Sequence, residues 1–368
     1  MFIQRILSLV LTCFVVFYTI AFGKVSAAAE RQAPTLSAES AIVMCADNGA
    51  VLFEKNADRQ MAIASITKIM TALIALEYVQ VNDRAVCFTE QMTAEGSSMY
   101  LKPGDTLRLS ELVKGLMAVS GNDAANALAV GIAGSKEKFA MMMNQKAALL
   151  GMTHTHFVTP SGLDDDNHYS TARDMALLCC YAMDQPQFAR IVSQQSLTVS
   201  FVSPEGKQQY CKNHNRLLSL YPGCIGIKTG FTKKAGRTLT SCAEKNGVRL
   251  IAVTLNAPDD WNDHAALFDF GFSGTEQITP VHAADRFQLP VAGGECDTVT
   301  VKPSQERSLT RIINDPDSPE TVLYLPRFIY APVPAGTVVG EAVIYYKKKR
   351  ISVSLVTADA VRMQKEDD

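Results

Sequence analysis

The 368-residue sequence lacks a surplus of either charge, because 35 Lys and Arg residues nearly balance 37 Asp and Glu residues. Nothing in it is basic enough to indicate a nucleic-acid-binding surface, and no Cys or His spacing matches a zinc module. His154 and His156 lie two apart without a third ligand at a suitable distance, so we interpret them as loop histidines. Internal repeats and low-complexity segments are also missing. We therefore expect a globular protein of two domains, with no nucleic-acid partner, metal ion or cofactor.

The first 29 residues have the order of a secretory signal peptide. Arg5 supplies the positive charge, an apolar stretch runs from Ile6 to Phe22, and small residues follow it. The apolar stretch is nearly long enough to span a bilayer, so a retained anchor is the alternative to cleavage after Ala27 or Ala29. Either outcome predicts an extracytoplasmic protein, secreted or in the cell envelope. Membrane association is expected only if this segment is retained.

Eight of the nine cysteines follow the signal segment, in a compartment that permits disulfides. Cys179 and Cys180 are adjacent within an apolar helical pattern, where neighbours face different directions and a free thiol packs as a small apolar group. Cys211 and Cys224 could pair, but their spacing does not decide it. We expect most of the cysteines to be free and buried.

Two periodicities divide the rest of the chain. Residues 41–56 predict a β-hairpin around Asn48-Gly49, and a series of helical patterns follows. Alternating strands then return, before one last helix. This order predicts an antiparallel sheet built from both ends of residues 30–275, with a helical lobe between them. Residues 276–368 alternate in short segments separated by Pro and Gly, which predicts a small all-β domain.

Ser65 and Lys68 stand at the start of an apolar helical pattern. Positions i and i+3 share a helix face, so the lysine could take the serine proton if burial lowered its pKa. Apolar residues surround the axis of this helix, which predicts burial on all sides and a first turn that faces something polar. The pattern is weak alone, because a second copy, Ser135 and Lys138, heads another helix among charged neighbours. We interpret Ser135 as an N-cap.

Two further motifs carry polar groups suited to catalysis. Ser120-Gly121-Asn122 interrupts a helical pattern, so its side chains can face a cleft, where a serine could relay a proton and an asparagine could hold a substrate carbonyl. The alternative is a helix-breaking turn. Lys228-Thr229-Gly230 lies in a strand before a turn, where lysine and threonine suit a substrate carboxylate and glycine allows close approach. The alternative is a strand with one exposed lysine.

In this order, the three motifs resemble the set found in serine-acylating, penicillin-recognising enzymes. The segments ASITKIMTAL, YLKPGD, LMAVSGNDAANALA, STARDMALL and GIKTGFTKKAG resemble the low-molecular-mass penicillin-binding proteins, which are serine-type D-alanyl-D-alanine carboxypeptidases. The resemblance implies an α/β (α+β) DD-peptidase/β-lactamase-like fold, with antiparallel sheet, helical lobe and a site between them. It also implies peptidoglycan stem peptides as substrates and β-lactam antibiotics as covalent inhibitors.

The resemblance assigns a role to each motif residue. Ser65 would be the acylated nucleophile and Lys68 its general base. Ser120 would relay a proton, and Asn122 would contact a substrate amide. The backbone N–H groups of Ser65 and Phe231 would form the oxyanion hole. The substrate's terminal carboxylate would be held by strand residues, which are Lys228, Thr229 and Gly230.

The sequence also departs from the family in two places. Some members end in an amphipathic helix on the membrane, whereas this chain's polar tail lacks an apolar stripe, so we expect no attachment through it. Some members carry an arginine for the substrate carboxylate after the strand LIAVTLN. The corresponding segment, APDDWNDHA, has no arginine, so this contact is either missing or supplied by His264.

Removal of the terminal D-alanine from pentapeptide stems, in cell-wall biosynthesis, is the function that these motifs predict. A D,D-endopeptidase that cuts cross-links would use the same residues. A β-lactamase is less favoured, because the Glu-x-x-Leu-Asn motif of class A enzymes is missing. A cell-wall-binding homologue with an inactive site is the non-enzymatic alternative, which the intact motifs disfavour.

Overall fold

The computed structural model describes residues 31–347 and 349–365, so the predicted signal peptide lies outside the described residues. From Pro34 onward the chain forms one compact unit. Its helices, in chain order, are α1 (Lys68–Val81), α2 (Leu109–Ala118), α3 (Asn122–Ala133), α4 (Lys136–Leu149), α5 (Ala172–Met183), α6 (Pro186–Val192), α7 (Leu217–Leu220) and α8 (Asp260–Ser273). Two 3₁₀ turns cover Ala64–Thr67 and Glu90–Met92.

The strands, in chain order, are β1 (Ser40–Cys45), β2 (Val51–Lys55), β3 (Ala85–Cys87), β4 (Thr106–Arg108), β5 (Ser196–Ser200), β6 (Gln208–Lys212), β7 (Cys224–Thr232), β8 (Gly236–Lys245), β9 (Val248–Leu255), β10 (Thr275–Val281), β11 (Phe287–Ala292), β12 (Thr298–Pro303), β13 (Arg307–Ile312), β14 (Glu320–Tyr324), β15 (Ile329–Tyr330), β16 (Val338–Tyr346) and β17 (Lys349–Thr357). An antiparallel sheet of order β2-β1-β9-β8-β7 joins the two ends of the N-terminal part. In its register Ala41 pairs with Thr254. The prediction of a sheet built from both ends, with helices between, is confirmed.

Helix α1 is the centre of the helical lobe. Every side chain from Lys68 to Leu76 is buried, and the helix contacts α2, α3 and α5. By length and composition the segment Ala64–Val81 could cross a membrane, but here it is a core helix. Full burial of one leucine or isoleucine contributes about 1.5–3 kcal/mol, so packing on all sides fixes the helix firmly. The first turn of α1 is therefore a rigid support for the side chains that it carries.

Local sequence signals specify several boundaries of these elements. Asn246 and Gly247 form the β8–β9 turn with φ angles of 51° and 78°, as expected for a tight hairpin. The helical pattern breaks where predicted, because α2 ends at Ala118 and α3 begins at Asn122. The Ser135 side chain accepts a hydrogen bond from the Lys138 backbone N–H at 3.2 Å. The prediction that Ser135 is an N-cap is confirmed.

The C-terminal part is all-β, as predicted. A six-stranded sheet has the order β14-β16-β17-β12-β11-β15, and β10 pairs with β13. These strands enclose a hydrophobic core of their own, which includes Leu289, Val301 and Leu355. Helix α8 ends at Ser273 and β10 begins at Thr275, so the domain boundary that we propose, between residues 275 and 276, lies one residue into β10.

The cysteines form no disulfide within the described residues. All eight that follow the signal segment are free, and both Cys211 and Cys224 are among them. Cys45, Cys179, Cys211 and Cys242 are buried, whereas Cys87 and Cys296 are exposed. Burial raises the pKa of the Cys242 thiol well above its ordinary value, which keeps that thiol protonated and unreactive.

Candidate active site

Ser65 lies in the 3₁₀ turn that leads into α1, at a cleft between the sheet and the helical lobe. The residue before it, Ala64, has a φ of 49°, a left-handed conformation that L-residues with a Cβ rarely adopt. Such strain persists only where the surroundings enforce it, and it clusters at functional sites. The turn thus presents Ser65 at the cleft, although its neighbours Ala64 and Ile66 are buried.

Lys68 is the nearest polar neighbour of this serine. Its Nζ lies 2.7 Å from Ser65 Oγ and donates to the carbonyl oxygen of Ser161 at 2.6 Å. The side chain is 0% exposed. Burial holds the pKa of Lys68 well below its ordinary value, and the positive charge of Lys228 lowers it further, although Asp123 acts in the opposite sense. The arrangement therefore favours a neutral amine that can accept the proton of the Ser65 hydroxyl.

The segment 153–170 packs against the turn that leads into α1 and against the first turn of α1. No sequence pattern assigned this segment a role in the site. Besides the Ser161 carbonyl, the segment supplies the Pro160 carbonyl, which accepts from Thr71 Oγ1 at 2.6 Å. Gly162 has a φ of 82°, and a Cβ there would lie 2.0 Å from the Ala64 carbonyl oxygen, so only glycine fits. His168 contacts Thr67 Oγ1 at 2.8 Å, and burial lowers its pKa to about 4.

The second motif lies where the helical pattern breaks. Ser120 has a φ of 60° and lines the cleft. Asn122 is anchored at both ends, since its backbone N–H donates to Ser97 O at 2.7 Å and its Nδ2 donates to Glu95 O at 2.6 Å. Its Oδ1 is buried and has no hydrogen-bond partner among the described residues. A buried acceptor without a donor is costly, so Asn122 Oδ1 is prepared for an incoming N–H group.

The third motif lies on β7, the edge strand of the central sheet that borders the cleft. Lys228 is only 1% exposed, its Nζ donates to Thr229 O at 2.8 Å, and burial lowers its pKa to about 7. Thr229, Gly230 and Phe231 line the cleft itself. A Cβ at Gly230 would lie 2.9 Å from the Ser65 backbone nitrogen, so the strand passes directly beside the candidate oxyanion hole.

The cleft has a volume of about 360 Å³. The structure brings residues of all three sequence motifs to it, from three separate parts of the chain. Its lining consists of Ser65, Ser97, Ser120, His214, Arg216, Thr229, Gly230, Phe231, Arg237, Asp260 and Trp261. Among the described residues, no group of three or more His, Cys, Asp or Glu side chains could hold a metal ion.

The expectation that His264 could reach a substrate carboxylate is wrong. Its ring is 0% exposed and lies between Ser241 Oγ and Thr254 Oγ1, with the second contact at 3.0 Å. Burial lowers the pKa of His264 to about 3, so it is neutral. The helical spacing of buried His264, Leu267 and Phe268 already indicates an inward face, which was the sequence signal available.

Three other residues from β8 and the start of α8 line the cleft, namely Arg237, Asp260 and Trp261. Arg237 Nη2 donates to Asp260 Oδ1 at 2.8 Å, and the guanidinium lies 5.5 Å from the centre of the Trp261 ring. Sequence reasoning missed all three, because Arg237 is brought to the cleft only by the β7–β8 register, in which it faces Phe231.

Comparisons with known proteins show which proteins this chain is similar to. A family model described as D-alanyl-D-alanine carboxypeptidase matches residues 27–259. The D-alanyl-D-alanine carboxypeptidase DacF of Bacillus subtilis is 32% identical over 333 residues, which cover 87% of this chain and 85% of that protein. The corresponding enzyme DacC of Escherichia coli is 35% identical over 319 residues, 78% of each chain. Among solved structures, penicillin binding protein 5 from Haemophilus influenzae matches with a TM-score of 0.65 at 28% identity, covering 90% of this chain and 99% of that chain.

Proposed function

The chain belongs to the D-alanyl-D-alanine carboxypeptidase family of serine peptidases, and we propose that it removes the terminal D-alanine of peptidoglycan pentapeptide stems through an acyl-enzyme on Ser65. One observation carries the chemical assignment: Ser65 Oγ lies at an open cleft, 2.7 Å from the amine of a fully buried lysine. A lysine in that environment is neutral often enough to act as a base.

In the first step, Ser65 Oγ attacks the carbonyl carbon between the two D-alanines while Lys68 Nζ takes the hydroxyl proton. The carbonyl oxygen gains negative charge, and the backbone N–H groups of Ser65 and Phe231 are the donors that we assign to it. One such donor typically contributes about 3 kcal/mol to transition-state stability. The close approach of Gly230 to the Ser65 nitrogen supports this assignment.

The leaving group must then receive a proton. The peptide C–N bond breaks, the proton taken by Lys68 passes to the departing amine through the Ser120 hydroxyl, and free D-alanine leaves. Asn122 Oδ1 would accept from a substrate amide N–H. Thr229 and Gly230 line the cleft and would contact the substrate. Lys228, to which the resemblance also assigns the substrate carboxylate, lies behind the cleft surface, where its charge lowers the pKa of Lys68. Water then attacks the ester carbonyl, which restores the Ser65 hydroxyl and releases the shortened peptide.

Labelling with a fluorescent penicillin tests the acyl-enzyme. The β-lactam carbonyl should acylate wild type and leave Ser65→Ala unlabelled. The chain offers a matched control in its second Ser-x-x-Lys copy, since Ser135 only caps α4 and Ser135→Ala should label like wild type. Equal labelling of Ser65→Ala and wild type would overturn the assignment.

Product analysis tests the reaction. Incubation with a stem pentapeptide should release one equivalent of D-alanine and leave the tetrapeptide, and Ser65→Ala should release none. A cross-linked dimer in a parallel incubation tests the D,D-endopeptidase alternative, which predicts monomeric products at a comparable rate. We also propose that the enzyme acts outside the cytoplasm, where its substrate lies, and that β-lactam antibiotics inhibit it by the same acylation.

A further inference from the structure

We propose that Arg237, held by Asp260 and Trp261, is the specificity-determining residue that binds the carboxylate of the substrate's terminal D-alanine in this chain. The inference rests on the proposed function and adds a cation to the carboxylate contact that the resemblance assigns to the β7 strand residues. The segment after β9 contains no arginine, and His264 is buried. Lys228 is 1% exposed and donates to Thr229 O, so it also presents no free ammonium at the cleft surface.

The strand register places Arg237 beside the substrate strand. Thr229 pairs with Leu239 and Phe231 pairs with Arg237, so Thr229 and Arg237 lie on one face of the sheet as diagonal neighbours. Diagonal neighbours are separated by about 7–8 Å, which long side chains span. The opposite face holds Thr238, whose Oγ1 donates to Ile63 O. A carboxylate beside the Thr229 hydroxyl is therefore within reach of the guanidinium.

The guanidinium has unused donors. It carries five N–H groups, of which one Nη2–H is donated to Asp260 Oδ1 and the Nε–H is buried, so the remaining Nη N–H groups are the ones that a ligand can reach. The side chain is 41% exposed, whereas that of Asp260 is 3% exposed, so the substrate can reach the arginine but scarcely the aspartate. The guanidinium lies over the Trp261 ring, 5.5 Å from its centre. Asp260 and Trp261 thus fix the orientation of Arg237 and leave N–H groups free for a two-pronged contact with a carboxylate.

Substrate pairs that differ only at the C-terminus test this role. We expect wild type to prefer an N-acylated D-Ala-D-Ala peptide over its C-terminal amide. Arg237→Ala should lower kcat/KM for the acid by about 10- to 100-fold and for the amide by less than about threefold. Arg237→Lys should recover only part of the loss, since a lysine has the charge without the planar fork. Equal losses for acid and amide, or no loss, would refute the proposal.

A matched control comes from the other arginine that lines the cleft. Arg216→Ala removes the same charge, so it controls for the overall electrostatic attraction of an anionic peptide. We expect it to keep the preference for acid over amide within about threefold of wild type. Loss of this preference in Arg216→Ala but not in Arg237→Ala would assign the carboxylate to Arg216 and contradict our inference.

Tryptophan fluorescence supplies a binding test that needs no turnover. Trp261 is the chain's one tryptophan and contacts the guanidinium, so its emission should report occupancy of Arg237. In the Ser65→Ala background, N-acetyl-D-alanine should give a saturating change that its amide does not give, and Arg237→Ala should abolish it. An equal response to the amide would overturn the inference. If the binding is selective for the acid but wild type neither labels with penicillin nor releases D-alanine, the proposed function is overturned and the inference about Arg237 stands.

Discussion

Lys228→Met should stabilise the protein at neutral pH while it slows acylation, because loss of the Lys228 charge raises the pKa of Lys68. Lys228 is 1% exposed and burial lowers its pKa to about 7, from an ordinary value of 10.5. Between these values the folded state binds fewer protons than the unfolded state, so the free energy of unfolding of wild type rises with pH. Methionine has a similar volume and needs no deprotonation, and its variant therefore lacks this pH dependence.

The magnitude follows from the two pKa values. Neutralising the lysine on folding costs about 4 kcal/mol at pH 7 and about 2 kcal/mol at pH 9. The variant also lacks the 2.8 Å hydrogen bond from Lys228 Nζ to Thr229 O, and this loss reduces the gain in stability by about 1 kcal/mol. The variant should then be more stable than wild type by about 3 kcal/mol at pH 7 and by about 1 kcal/mol at pH 9.

Urea unfolding of both proteins at pH 7, 8 and 9 measures this difference. The exposed residue Lys233 provides a control, because Lys233→Met changes no buried charge and should give the same small difference at each pH. Penicillin labelling of Lys228→Met should be slower than that of wild type. A variant that is less stable than wild type at pH 7, or a stability difference that does not narrow as pH rises, would refute the reasoning.

Three further substitutions test the surroundings of the site. Gly162→Ala, with its Cβ 2.0 Å from the Ala64 carbonyl oxygen, should lower the melting temperature and penicillin labelling together. Gly230→Ala places its Cβ 2.5 Å from Thr238 Oγ1 and should reduce the labelling rate by at least about 10-fold, because substrate must pass there. Ser135→Ala should lower the free energy of unfolding by about 1 kcal/mol with unchanged labelling, and a change in labelling would contradict its role as a simple cap.

The parts of the fold that sequence predicts are those specified locally. Helix α1 follows from an apolar pattern, the β8–β9 turn from Asn246-Gly247, and the pairing of Ser65 with Lys68 from a spacing of three on one turn. The contacts that complete the site connect distant segments. The Ser161 carbonyl that accepts from Lys68 is 93 positions away in the chain, and no periodicity specifies such a distance.

Strand register explains why the sequence alone did not predict that Arg237 lies in the cleft. Arg237 follows β7 by a short turn, and its sequence neighbours give no sign that it faces the cleft. Only the pairing of Phe231 with Arg237 brings it there. A shift of one residue would turn its side chain to the opposite face. Local patterns thus identify the reacting pair, Ser65 and Lys68. The position of a substrate-binding residue such as Arg237 depends instead on the register between strands.

The energetic cost of this site is concentrated in one turn. Ala64 has a φ of 49°, and such a conformation costs about 1–3 kcal/mol. Lys68 adds the cost of a buried amine. These terms are tolerated because α1 is apolar on all sides and its packing holds the first turn in position. Stabilising substitutions in the turn that leads into α1 would relieve the backbone strain at Ala64 or remove the buried amine of Lys68, and the chemistry uses both. We therefore expect substitutions that raise stability in this turn to reduce acylation, whereas substitutions that raise stability at the Ser135 cap should leave acylation unchanged.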